Sequence, residues 1–170
     1  MYFCFSISSD YGQTEFYFLT CTKPCSLVAN LQDLKITKKE WHFDWEKELK
    51  KGKVYKLVIG GNPNVVQGLL SLIDQKDHTY VSLVENAPYN IGANKVYEGI
   101  AGNLFAFACK TAFEQGYEGY IAFHAKTELV EHYTKSLGAK RINTQLMYVD
   151  TREATILVNR YFKNFEIRKS

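Results

Sequence analysis

Residues Tyr97 to Gly116 read YEGIAGNLFAFACKTAFEQG, and two glycines, Gly99 and Gly102, stand where an apolar helical run begins. A glycine inside a helix costs about 1 kcal/mol relative to alanine, so glycines at a helix start ask for a compensating task. A helix N-terminus exposes unpaired N–H groups and the positive end of the helix dipole. Glycines there let a bulky anion reach the backbone without meeting a Cβ. Two readings of GIAGN stay open: a phosphate or pyrophosphate cradle, or a turn at Gly99 followed by close packing at Gly102. The common phosphate motifs do not fit. A P-loop needs Lys and then Ser or Thr after its second glycine, and here Asn103 and Leu104 follow. A dinucleotide fingerprint needs three spaced glycines inside parallel βαβ units, and only one glycine pair is present.

Upstream of this helix, VYKLVIG (Val54–Gly60), VVQGLLSLI (Val65–Ile73) and TYVSLVE (Thr79–Glu85) are rich in β-branched and aromatic residues. GNPN and DQKDH separate them, and connections this short predict an antiparallel meander. Downstream, the helix is expected over Ala101–Gln115 with Gly116 as its cap. The strand GYIAFH (Gly119–His124) follows. Strand, helix, strand in this order predicts a right-handed crossover that pairs Thr79–Glu85 with Gly119–His124 in parallel. A second helix is predicted from Thr127, its cap, to Leu137, with Leu129, Val130, Tyr133 and Leu137 on one face. AKRIN and QLMYVD read as two closing strands. DTREATILVNRYF reads as a last amphipathic helix with Ala154, Leu157, Val158, Tyr161 and Phe162 in its buried stripe. The tail KNFEIRKS is expected to be loosely held.

At the other end of the chain, YFCFSIS and TEFYFLT read as two strands around SDYGQ. Residues 21–40 carry no clear period. FDWEKELKKG reads as a short helix between a capping Asp44 and a terminating Gly52. The class is therefore α+β, a mixed, mostly antiparallel central sheet with helices on both faces and an extra C-terminal helix. With 170 residues, one domain is expected.

Composition narrows the function classes. A net charge of +3 with 23% charged residues is too mild to argue for nucleic acid. The four cysteines (Cys4, Cys21, Cys25 and Cys109) and four scattered histidines lack metal-ligand spacing. The cysteines read as free thiols in a reducing cytoplasm, and neither residue type forms a metal site. MYFCFSISSD lacks a basic start and carries Asp10, so it does not read as a signal peptide. No apolar run reaches membrane-spanning length.

The order of elements, with two short motifs, resembles the GNAT superfamily of acyltransferases. Val96-Tyr97-Glu98-Gly99-Ile100-Ala101 aligns with the superfamily's Q/R-x-x-G-x-G/A loop. HYTKSLGAK (His132–Lys140) resembles its late Y-x-K-x-G-F segment, with Tyr133 as the tyrosine. The likeness covers residues 54 to about 149, a cofactor-binding core. It leaves 1–53 as a divergent N-terminal part and 150–163 as an added helix. Val96 stands in place of the usual Gln or Arg, Ala139 in place of an aromatic, and Leu137 is one extra residue before Gly138. ENAPYNIGANKVYE (Glu85–Glu98) is longer than the usual strand-to-loop link.

The resemblance implies an N-acetyltransferase that moves an acetyl group from acetyl-CoA to a primary amine by direct attack. The amides of Ile100, Ala101, Gly102 and Asn103 would hold the pyrophosphate; Val96 and Gly99 belong to the same cofactor set, Val96 with one polar phosphate contact fewer than the family's Gln or Arg. Val84, Glu85 and Asn86 would line the pantetheine arm, one of their amides polarising the thioester carbonyl, and Lys126 joins the cofactor set. An amine with a pKa of about 10.4 must lose a proton before attack. Glu85 or His124 would accept it, and Tyr133 would protonate the departing thiolate. Each has a structural alternative: a solvated or paired carboxylate, a satisfied histidine, a core tyrosine. Trp41, Asp44, Trp45, Tyr89 and Asn90 are candidates for the acceptor pocket. Two other functions remain open, a non-catalytic acyl-CoA-binding module of the same fold and a nucleic-acid-binding domain. The expected partners are a CoA thioester and an amine of unknown identity, with no membrane and no nucleic acid unless the acceptor is carried on tRNA. The last helix can pack on its own sheet or on a second copy of the chain.

Overall fold

The computed structural model describes residues 2–8, 14–20, 25–28, 34, 40–59, 62–93 and 95–167. The strands are β1 (Tyr2–Ser8), β2 (Thr14–Thr20), β3 (Cys25–Val28), β4 (Lys53–Ile59), β5 (Asn62–Asp74), β6 (Thr79–Asn86), β7 (Ile121–His124), β8 (Lys140–Arg141) and β9 (Leu146–Val149). The α-helices are α1 (Trp45–Lys51), α2 (Ile100–Glu114), α3 (Val130–Leu137) and α4 (Thr151–Tyr161). Strands β3-β4-β5-β6-β7-β9-β8 are hydrogen-bonded in that order, and β1 and β2 form a two-stranded sheet of their own. The class is α+β with a mostly antiparallel sheet, as expected. By internal contacts the chain forms two compact units, Met1–Ser71 with Leu83–Leu104 and Leu72–Ser82 with Phe105–Ser170.

In the first unit, β1 and β2 pair antiparallel from Tyr2↔Thr20 to Ser8↔Thr14; the expected turn between them lies outside the described residues. The stretch without a sequence reading contributes β3, antiparallel to β4 from Cys25↔Leu57 to Val28↔Val54. Helix α1 forms where its signals placed it. The Asp44 carboxylate accepts the Lys47 N–H, and the Gly52 N–H donates to the Glu48 carbonyl. Trp45 carries α1 into a core with Val28, Leu34, Val54 and Leu69. Strand β5 starts at Asn62 and absorbs most of the expected GNPN turn, since a proline is tolerated in the first residues of a strand.

In the second unit, β6 and β7 pair in parallel from Thr79↔Ile121 to Val81↔Phe123, as the crossover requires. Helix α2 ends in a Schellman motif. Gly116 donates to the Phe113 carbonyl and Tyr117 to that of Ala112. Thr127 does not cap the second helix. It opens a 3-10 turn (Thr127–Leu129), and α3 starts at Val130 with no side-chain cap. The turn itself satisfies early donors, Leu129 N–H bonding the Lys126 carbonyl. Leu129 is consequently exposed, while Val130 and Leu137 are buried. Helix α4 is capped by Asp150, which accepts the Glu153 N–H, and buries Ala154, Leu157 and Val158. Past it, the Phe165 ring lies 4.8 Å from Lys110 Nζ.

Cys109 is a free thiol inside α2, and burial pushes its pKa far up, which suits packing rather than nucleophilic chemistry. No group of metal-ligating side chains occurs among the described residues. No helix among them is long and apolar enough to cross a membrane.

Candidate functional site

Gly99 adopts φ +75°, a left-handed conformation that glycine takes without Cβ strain. It turns the chain into α2, and its carbonyl accepts the Asn103 N–H at 2.9 Å, the first bond of the helix. The amides of Ile100, Ala101 and Gly102 have no hydrogen-bond partner among the described residues. Three open amides at the positive end of a fifteen-residue helix have the polarity that suits an anion; the Asn103 amide is occupied within the helix.

What brings this helix start against the sheet is a glycine the sequence reading did not single out. A Cβ on Gly68, in β5, would lie 2.8 Å from Ile100 Cγ2, 3.0 Å from Leu104 Cδ1 and 3.2 Å from the Glu85 carbonyl oxygen. Its signal was present, since a glycine inside a strand marks a close approach. Gly68→Ala is expected to destabilise the protein by about 1–3 kcal/mol through overpacking, measured by urea denaturation. Wild-type stability would mean that α2 does not seat against β5.

The long segment after β6 is held in place by polar bonds. Ala87 N–H bonds the Gln67 carbonyl at 2.9 Å. Asn90 Nδ2 bonds Gln67 Oε1 at 3.0 Å, and Asn90 Oδ1 accepts the Tyr97 N–H at 3.1 Å. Tyr89 OH donates to the Val66 carbonyl at 2.5 Å. Asn90 is thus a buried clamp rather than a pocket wall. Trp41 and Tyr89, with Glu40, Asn64, Val65 and Val66, line a cavity of about 340 Å³. Trp45 is buried and Asp44 caps α1.

Glu85, near the end of β6, is 7% exposed. Its Oε1 accepts the His42 N–H at 2.6 Å. Its Oε2 accepts the Trp45 indole N–H at 2.6 Å and the Phe43 N–H at 3.4 Å. Three donors therefore occupy the two oxygens and tie residues 42–45 to β6. Val84 is half-buried beside it. Asn86 Oδ1 and Asn103 Oδ1 are buried acceptors without a partner among the described residues. Buried polar groups are ordinarily paired, and each of these two oxygens keeps an unused acceptor site. Val96 is exposed.

The remaining candidates belong to the second unit. Tyr133 packs its ring edge-on against Phe105 and Phe123, both at 5.3 Å between centroids. No described residue hydrogen-bonds its hydroxyl, and burial raises its pKa above 10.0, so the phenol keeps its proton at neutral pH. His124 is exposed at the end of β7, its Nδ1 2.8 Å from Tyr80 OH, which leaves Nε2 without a described partner. Lys126 is exposed at the start of the 3-10 turn. Val84, Glu85, Asn86, Val96 and Gly99–Asn103 fall in the first unit, and His124, Lys126 and Tyr133 in the second.

No family model matches the sequence, and no curated protein matches it. Solved structures do. The chain is similar to the AtaT–AtaR complex bound to DNA at TM-score 0.53 and 16% identity, over 78% of this chain and 97% of that one. The fold is that of the GNAT acyltransferases. A second GNAT-fold neighbour is the KacTA–DNA complex, at TM-score 0.51 and 15% identity over 79% of this chain and 89% of that one. A third is AtaTR bound with AcCoA, at TM-score 0.50 and 15% identity over 78% and 96%. The part of the chain whose motifs resembled the GNAT superfamily spans β4 to β9.

Proposed function

We propose that this chain is an N-acetyltransferase that passes an acetyl group from acetyl-CoA directly to a primary amine. The observation that carries the reading is the set of open amides at Ile100, Ala101 and Gly102, made accessible by the left-handed turn at Gly99. An anion the size of a diphosphate is what such a surface binds. The orphaned oxygens of Asn86 and Asn103 add acceptors suited to the amide and hydroxyl donors of a pantetheine arm. AtaTR, a GNAT-fold neighbour, binds AcCoA.

The roles of this chain's residues follow from their chemistry. The amides of Ile100, Ala101 and Gly102 hold the diphosphate. Backbone along Val84–Asn86 orients the thioester, and one N–H there polarises its carbonyl, worth about 3 kcal/mol in the transition state. His124 Nε2 accepts the proton of the attacking ammonium, directly or through water. Glu85, its oxygens already holding three N–H donors, positions the 42–45 segment instead. Tyr133, kept neutral by burial, returns a proton to the CoA sulfur.

Thermal unfolding with and without acetyl-CoA tests the reading. Ligand at a hundred times its Kd should add about 2.7 kcal/mol, which at this chain length raises Tm by about 5–10 °C. Absence of any shift at saturating acetyl-CoA would overturn it. A shift without thiol release in the presence of amines would leave a carrier-binding module in its place.

A further inference from the structure

The second unit presents a sheet face lined with tyrosines. The register sets Tyr80, Ala122 and Tyr148 side by side, and His124 beside Leu146; paired residues share a face. Ile121, Phe123, Met147 and Val149 point the other way into the core. On the open face a methyl group between two phenols leaves a hollow, with Ala122 as its floor. The hollow continues as a cleft of about 660 Å³, a volume in the range of small-molecule sites. On one side Tyr120 stacks on Tyr148 at 5.4 Å and 15°, with the His78 ring edge-on at 6.3 Å. On the other, Tyr80 meets His124. Asp77, bonded to His78 Nδ1 at 2.7 Å, stands at the mouth. Leu146 supplies apolar surface. Among the described lining residues there is no lysine or arginine, and Asp77 is the only acid. Lys140, opposite Tyr148 in the ladder, is ion-paired to Asp150.

We propose that this cleft binds a small primary ammonium ion on an apolar or aromatic body, and that this ion is the acceptor of the transfer reaction. Only the second half rests on the acyltransfer reading. Tyrosine faces attract cations through their ring quadrupoles, the carboxylate adds complementary charge, and the lack of a lining cation disfavours anions. A polyanion such as a nucleic-acid backbone would require the reverse. His124, one of the lining residues, is placed to take the ammonium proton.

The test titrates 2-phenylethylammonium, 2-phenylethanol and phenylacetate into the full chain without acetyl-CoA, followed by calorimetry and NMR. The ammonium is expected to bind at least about fivefold more tightly than the alcohol, and the carboxylate not to bind at millimolar concentration. Tyr120→Leu should weaken ammonium binding roughly five- to tenfold. Asp77→Asn, at an exposed carboxylate whose change leaves the core intact, should weaken it two- to threefold, by roughly the reach of one surface charge. Equal affinity for the three probes, no binding of the ammonium, or affinity unchanged in both variants would overturn the proposal. Acetyl-CoA stabilisation without ammonium binding removes the cleft and leaves the transferase. Ammonium binding without acetyl-CoA stabilisation keeps the cleft as a binding site and removes the transferase.

Discussion

Tyr133→Phe is expected to lower the turnover of acetyl transfer by ~10²–10³, the usual range for an acid–base group, while leaving stability within about 0.5 kcal/mol of the parent. Both halves come from the same geometry. The ring is held by Phe105 and Phe123, and phenylalanine preserves those contacts. The hydroxyl has no hydrogen-bond partner among the described residues, so its removal strands no buried group. A core tyrosine whose hydroxyl had no task would give parent turnover as well as parent stability, and that result in a steady-state assay would strike Tyr133 from the mechanism.

Glu85→Gln is expected to act on stability first. An amide in place of the carboxylate puts an NH₂ donor against N–H donors from His42, Phe43 or the Trp45 indole, and leaves at least one of them unpaired. Such a loss costs roughly 2–3 kcal/mol, about 5–10 °C in Tm for a chain of this size. Trp45→Phe, which removes the indole donor and part of the packing of a buried bicycle, should show a loss at least as large. If Glu85 were the catalytic base, Glu85→Gln would abolish turnover at unchanged Tm. A melting curve and a rate from the same preparation therefore decide between the two roles.

Legibility of the chain divides along sequence distance. Helix α1 was readable because its start and stop are both local: Asp44 reaches three residues on to Lys47, and Gly52 ends the run. The parallel pairing of β6 with β7 was readable because a strand, a helix and a strand of these lengths close in one hand. Thr127 has the residue type of a cap without its geometry; a 3-10 turn supplies the bonds a cap would make. Glu85 was legible as a candidate by its place at a strand end, but its donors come from 40 to 43 residues away, and no spacing along the chain encodes them. His124 likewise meets Tyr80 across 44 residues.

By itself the sequence determined most of the elements and their order, β3 and the start of α3 excepted, and the extent of α1 from Asp44 to Gly52. These depend on periodicity and on bonds between residues a few positions apart. Only the tertiary structure decided that Gly68 lies under Ile100, that three N–H groups surround Glu85, and that Ala122 makes a hollow between Tyr80 and Tyr148. Strand order and register bring together side chains that are far apart in the chain, and small shifts of register would separate every one of those pairs.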